Sequence, residues 1–289
     1  MPALAAMAAP LTSIRPATLA DWDAVQPLLK DAGYLHTHFD WHKPRAWLLR
    51  HPFMLAWSGS QLAGILAAPP DPPDVAWLRF AGVAAGFSGP KVLGELWASC
   101  QKELLAAGVR RSAILTTNSY LDELLPQWGF AASEEVLVLT HNTRLAATKT
   151  ESAALIRRAR PEDCDAVAAV DWAAFDTPWR HSPGMVAAAM AQATYVTVAQ
   201  VDGTIVGHQF TTEGRNGAHM ARLAVHPTWQ GKHIGRALVQ HMLRHFADCG
   251  ISPVGVNTQS NNAASLALYR ALGFTLTGEG YQVWQRWLL

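Results

Sequence analysis

The sequence predicts a mixed α/β (α+β) chain made of two tandem copies of one unit, each a twisted mixed sheet flanked by helices. Three observations carry that expectation. The chain has 289 residues, long for one compact domain and comfortable for two of about 100 to 150 residues each. It also repeats itself: Ile14-Arg15-Pro16-Ala17-Thr18-Leu19-Ala20-Asp21-Trp22-Asp23-Ala24-Val25 aligns with Ile156-Arg157-Arg158-Ala159-Arg160-Pro161-Glu162-Asp163-Cys164-Asp165-Ala166-Val167 at an offset of 142, with seven identities in twelve. Finally, strand-like, glycine-bearing and helix-like segments follow in the same order in both halves.

The register of the repeat continues. Phe53 to Trp57, then Gly59 and Gly64, matches Tyr195 to Ala199, then Gly203 and Gly207, and both read as hairpins turning at glycine. Further on, Gly108-Val109 leads to Trp128-Gly129-Phe130 as Gly250-Ile251 leads to Leu272-Gly273-Phe274. Residues 141–154 are polar and alanine-rich without a period, which suits a linker. The expected organisation is a loose tail over 1–12, a first copy over 13–145, a linker over 146–154 and a second copy over 155–289.

Composition removes several classes of function. Half of the residues are apolar, enough for substantial cores. A net charge of +1 supplies no long-range field toward nucleic acid or an anionic membrane, so neither is an expected partner. Cys100, Cys164 and Cys249 form no CxxC pair or disulfide-like set, which fits a reducing compartment. No basic residue precedes the apolar start, and no apolar run approaches the roughly 20 residues that span a bilayer, so the expected location is the cytoplasm. There is no GxSxG elbow, Walker A loop or dinucleotide GxGxxG. His36, His38, Asp40 and His42 crowd one stretch, whereas structural zinc usually draws ligands from separated segments; His241 and His245 flank an apolar helix face without an HExxH pattern. No metal is expected.

One segment of the second copy has the makings of an anion socket. The strand-like Met220-Ala221-Arg222-Leu223-Ala224-Val225 stops at His226-Pro227, because proline cannot continue a sheet ladder. Gln230-Gly231-Lys232-His233-Ile234-Gly235-Arg236 follows, and Ile234, Leu238, Met242 and Phe246 then mark a helix face that Gly250 ends. A helix N-terminus behind a glycine-bearing turn gathers free N–H groups around one point. Lys232 and Arg236 add charge, while Gly231 and Gly235 leave room for a phosphate beside the backbone. Taken alone, the turn also suits an ordinary strand-turn-helix connection with solvated basic residues.

A second polar segment, Asn257 to Asn262, follows the strand-like residues 253–256, and Asn261 or Asn262 is a good N-cap for the next helix. That helix carries Tyr269 among Leu266, Leu268 and Leu272, where an aromatic is by itself most simply a core residue.

Together, Leu223-Ala224-Val225, the turn from Gln230 to Arg236, and Asn262 six residues before Tyr269, ending in Gly273-Phe274, resemble the GNAT acetyltransferase superfamily. The resemblance is clear in the second copy and weak in the first. It implies acetyl-CoA as co-substrate, its pyrophosphate wrapped by Gln230, Gly231, Lys232, His233, Ile234, Gly235 and Arg236. The family's turn reads Q/R-x-x-G-x-G/A, and His233 stands where glycine is usual. The resemblance further implies that the pantetheine arm lies along Leu223, Ala224 and Val225 as a pseudo-strand, with Asn257 and Asn262 completing the cofactor set, and that Tyr269 is the general acid. A phenol titrating near about 10 keeps its proton at neutral pH yet can pass it to a thiolate of pKa about 8.5. The base is assigned to Glu213, with His219 and Asp176 as other candidates, and His181 as a residue lining the acceptor pocket.

The function so implied is direct acetyl transfer to a primary amine of a small molecule or a peptide N-terminus. Two alternatives stay open: a reaction like that of mycothiol synthase, and a non-catalytic acyl-CoA sensor. A second copy of the chain is kept as a partner. In the first copy the turn falls around residues 82–91, where Gly86, Gly89 and Lys91 survive without the Gln-to-Arg frame, and Leu124-Leu125-Pro126-Gln127-Trp128 replaces the tyrosine neighbourhood. This copy is expected to be inactive.

Overall fold

The structure, a computed structural model, describes residues 10–117, 119–144 and 152–288. Most of the expected tail and linker, residues 1–9 and 145–151, therefore lies outside the described residues.

The first repeat runs β1 (Ser13–Pro16), α1 (Trp22–Asp31), β2 (Tyr34–Thr37), α2 (Pro44–Trp47), β3 (Phe53–Ser58), β4 (Gln61–Ala67), β5 (Val75–Trp77), β6 (Phe80–Val83), α3 (Gly89–Ala106), β7 (Arg111–Thr116), α4 (Ser119–Leu124) and β8 (Ala131–His141). The second runs β9 (Leu155–Arg158), α5 (Cys164–Ala174), α6 (Pro183–Gln192), β10 (Tyr195–Val201), β11 (Thr204–Gly214), β12 (Gly217–Val225), α7 (Ile234–Asp248), β13 (Val254–Gln259), α8 (Ala263–Ala271) and β14 (Thr275–Trp287). The 142-residue offset reaches individual bonds. Arg15 grips Asp21 as Arg157 grips Asp163, and in each pair the guanidinium hydrogen bonds hold the carboxyl well below the usual carboxylate range. The parallel pairing of Ala76 with Ser112 recurs between Ala218 and Val254.

The compact units do not divide where the repeats do. One contains residues up to Ser133 together with Gln282–Leu289; the other is Glu134–Tyr281. The expected boundary near 145–155 is thus displaced, because the last strand of each repeat leaves its own unit. β8 pairs with β13 inside the second unit, Val136 facing Gln259 through to His141 facing Val254, and residues 282–287 of β14 pair with β7 inside the first. A linker sought from composition marks the end of the sequence repeat, whereas strand pairing sets the fold boundary.

In the second unit the strand order is β14, β8, β13, β12, β11, β10, β9, and from β8 to β9 neighbours are antiparallel except where β12 meets β13. Its largest apolar cluster joins Ala218, Met220, Val254 and Val256 of the sheet to Val239, Met242 and Phe246 of α7 and to Leu266 and Tyr269 of α8. Helices α5 and α6 pack on β11 and β12 from the other face. The first unit has its own core, in which Leu93, Leu96 and Trp97 of α3 meet Leu66, Ile114 and Phe130. Among the described residues no helix is long and apolar enough to cross a membrane.

Candidate active site

β12 and β13 run side by side for only three pairs, Ala218–Val254, His219–Gly255 and Met220–Val256, and then part. Beyond Met220, β12 continues to Val225 with β11 on one side and, among the described residues, no strand on the other. The His226 N–H donates to Val206 O, so backbone alternation turns Ala224 toward β11 and leaves the Leu223 and Val225 amides facing the opening. Of the three residues expected along the cofactor arm, Ala224 thus turns its amide to β11, and Leu223 and Val225 turn theirs to the opening.

The strand leads into the turn at the head of α7. Gln230 Nε2 donates to Val225 O at 3.0 Å and fixes the exit from the strand. Gly231 has φ +75°, and a Cβ there would meet no atom within 4 Å, so the turn is open above it. His233 has φ +60°, the left-handed region that glycine enters without penalty and other residues enter seldom. The first α7 hydrogen bond runs from Ala237 to His233 O, and the amides of Ile234, Gly235 and Arg236 ahead of it have no acceptor within the helix. Lys232 Nζ sits 4.3 Å from the Trp229 ring centre. Arg236 reaches a neighbour as well, its Nη2 donating to Ala271 O at the end of α8 while its buried Nε has no partner. A Cβ at Gly235 would find ordinary contacts with Leu268 and Val225 at 3.6 Å, which suits a position where the family pattern accepts alanine.

Tyr269 lies on α8 in the apolar cluster beneath the sheet, packed on Phe274 and 4% exposed. Burial pushes its phenol well above the ordinary range. Asn257 stands on β13 one residue past the last parallel pair, its buried Oδ1 without a partner. Asn262 is committed differently: its side chain accepts the Ser265 N–H at 3.0 Å and caps α8. Glu213 is not brought to the site. It is exposed on β11 opposite Ala218, one pair from the hairpin end, on the α7 face where its charge acts on His245. Asp176 is solvent-exposed beside Arg180. His219, by contrast, lies at the fork itself, and burial lowers its imidazole below the ordinary value.

Sequence reasoning missed the ion pair on the α5 face of β12. Arg222 Nε and Nη2 each donate to Asp171 at 2.7 Å, and Nη2 also donates to Trp179 O at 2.8 Å, tying the segment between α5 and α6 to the sheet. His181 is part of that segment. Burial alone would raise the Asp171 carboxyl, but the charge and hydrogen bonds of Arg222, with His208 alongside, hold it far below the carboxylate range. An acid inside an alanine-rich helix, Ala168-Ala169-Val170-Asp171, is the only signal the sequence offered.

The first unit closes the same place. Its β6, equivalent to Arg222–Val225, has β4 on one side and β2 on the other, Tyr34 facing Val83 through to Thr37 facing Phe80. The β2 strand occupies the edge that stays open in the second unit. The helix N-terminus is covered too: a Cβ at Gly89, which the offset matches to Gly231, would fall 1.6 Å from the Tyr120 hydroxyl, and Tyr120 stacks on Tyr34 with ring centres 3.9 Å apart. The histidine-rich stretch belongs to this plug. His36 is fully buried, its pKa lowered by burial to about 4, and among the described residues no His, Cys, Asp and Glu side chains gather as a metal site.

Residues 158–274 match the model of the Acetyltransferase (GNAT) family. The second repeat is a GNAT domain. Over 67 residues the chain is 40% identical to the L-amino acid N-acyltransferase MnaT of Escherichia coli, covering 22% of this chain and 39% of that protein. Over 91 residues it is 32% identical to the mycothiol acetyltransferase of Thermobifida fusca, 28% of each. The chain thus spans less than half the length of the curated relatives it matches. A tandem GNAT protein from the clavulanic acid biosynthesis pathway shares the fold over 96% of this chain and 98% of its own, with a TM-score of 0.66 and 16% identity. A GNAT-related N-acetyltransferase structure from Kribbella flavida covers 97% of this chain and 71% of its own, with a TM-score of 0.71 and 12% identity. These likenesses establish two tandem GNAT folds.

Proposed function

We propose that the chain is an acetyl-CoA-dependent N-acetyltransferase whose second unit passes an acetyl group directly to the primary amine of a small molecule or a peptide N-terminus. The observation that carries this reading is the unpaired edge of β12 past Met220, which ends at an uncovered helix N-terminus. A linear acyl-pantetheine diphosphate suits that plan, with amides to pair along a strand edge and a diphosphate for the free N–H groups. Leu223 and Val225 would hold the arm through their backbones, and Gly231 to Arg236 the diphosphate. The bound thioester supplies an activated acyl group. Tyr269, its phenol raised by burial, holds a proton for the departing sulfur across the whole neutral range.

An amine acceptor is supported by the relatives, which are named as N-acyltransferases of L-amino acids and of the alanine of ribosomal protein bS18. The test is thiol release from acetyl-CoA across L-amino acids, amino sugars and short peptides, for the parent and Tyr269→Phe. Turnover with one amine class, lowered about 100-fold or more in the variant, is expected. Binding of CoA with no thiol release on any amine would sink the reading in favour of a sensor.

A further inference from the structure

We infer that His219 and Asn257 form the acceptor-amine subsite, the His219 imidazole taking the proton that the amine nitrogen loses and Asn257 Oδ1 receiving the other amine N–H. This rests on the acetyltransferase reading and adds its missing base.

The two residues share one face of the sheet. Ala218, Met220, Val254 and Val256 point into the core under α7 and α8, so side-chain alternation turns His219, Gly255 and Asn257 to the opposite face, that of α5 and α6. Glycine at 255 gives independent support: a Cβ there would lie 3.1 Å from His219 Nδ1, so the imidazole lies across β13 on the face where Asn257 is the next residue. Both sit at the fork, His219 one residue before the strands part and Asn257 one residue after. Asn257 Oδ1 is a buried acceptor with no donor among the described residues, a costly state that an arriving N–H relieves.

The surroundings suit a neutral base. Opposite His219 on β11 is Thr212, whose hydroxyl donates to the His219 carbonyl, and β13 offers only Gly255 and Asn257. From α5 comes Asp171, already paired with Arg222 and faced by His208. No charged group shifts the imidazole, which burial alone keeps unprotonated near neutral pH. Tyr269 belongs to the cluster on the other face. Base and acid thus lie on opposite faces of the sheet, so that the attacking amine and the leaving sulfur have separate proton partners. The amine nitrogen forms the new C–N bond and loses one proton to His219. The C–S bond breaks, sulfur takes the Tyr269 proton, and solvent returns one proton from the imidazolium side to the phenolate side.

The experiment uses the full chain with acetyl-CoA and the best amine of the panel, comparing the parent, His219→Gln and Asn257→Ala in kcat, KM, the pH profile of kcat and CoA affinity. Loss of the base should lower kcat about 100-fold or more and abolish the acid limb, which in the parent falls as His219 takes up a proton below its ordinary value. Asn257→Ala should raise the amine KM about tenfold, and both variants should keep CoA affinity within about twofold, which also shows that they fold. A His219→Gln enzyme with parental kcat and acid limb, in a chain that Tyr269→Phe disables, overturns this inference alone. An Asn257→Ala enzyme that weakens CoA while sparing the amine KM overturns it as well, by returning that side chain to the cofactor. A parent without thiol release overturns the acetyltransferase reading and this assignment together.

Discussion

Strand β6 and the Arg222–Val225 end of β12 are one segment in two copies, yet β6 is paired along both edges and that end of β12 along only one. The difference comes from the connection between the first two helices of each repeat. It has twelve residues in the first copy (32–43) and eight in the second (175–182). The longer connection is enough to lay Tyr34–Thr37 along the sheet, where it satisfies the backbone groups that the second copy leaves exposed. A free edge in the middle of a fold is a cost in the isolated protein and a binding site in the working one. In the first copy the sheet is closed at that place.

The comparison can be broken or sharpened, and the largest expected effect is all-or-none. Calorimetric titration with CoA should give one binding event per chain, because the first unit's slot holds its own strand; a stoichiometry of two would refute the plug. Next, Arg222→Ala should destabilise the chain by about 3 to 5 kcal/mol, since it strands the fully buried Asp171 without a partner. Arg15→Ala, which takes a half-exposed guanidinium from the buried Asp21 carboxyl that Thr18 also holds, should cost less than Arg222→Ala in the same denaturant titrations. Because the Asp171 carboxyl is depressed in the folded state, its stabilisation is complete above the unfolded value of about 3.9 and is lost as pH falls through the lower folded one. Urea midpoints should therefore drop only on strong acidification, and less so in Asp171→Asn.

Gly89→Ala and Gly231→Ala make a matched pair. The first should destabilise through collision with Tyr120, by about 1 to 3 kcal/mol, without touching CoA affinity. The second meets no atom and should cost about 1 kcal/mol through its positive φ, while weakening CoA measurably. Equal effects of the two on CoA would undo the distinction between an open and a covered helix end. Smallest of all, His233→Gly should relieve a left-handed residue and shift stability by no more than about 1 kcal/mol, with CoA binding equal or tighter.

Much of this was legible in the residues. The 142-residue repeat, the fold class, the strand end at His226-Pro227 and the glycine-bearing head of α7 follow from local chemistry: proline stops a ladder, glycine opens a turn, and apolar residues every fourth position make a helix face. The family resemblance added the turn's purpose. Local chemistry failed where partners lie far apart in the chain. Glu213 looked available as a base because sequence does not show which face of β11 it occupies, and the fold turns it to the α7 side, beside His245. That the Ala224 amide faces β11 and the Leu223 amide the opening was not legible either, because hydrogen-bond direction alternates by a single residue.

The sequence by itself determined that two copies of one α/β unit exist and that only the second keeps a Gln-to-Arg turn with a tyrosine downstream. The tertiary structure alone decided which edge stays open, that β8 and β14 each finish in the other repeat's unit, and that the His219 imidazole lies over Gly255. The reason is physical: propensity and periodicity act within a few residues, whereas edge pairing and side-chain juxtaposition are settled by whichever distant strand satisfies the backbone.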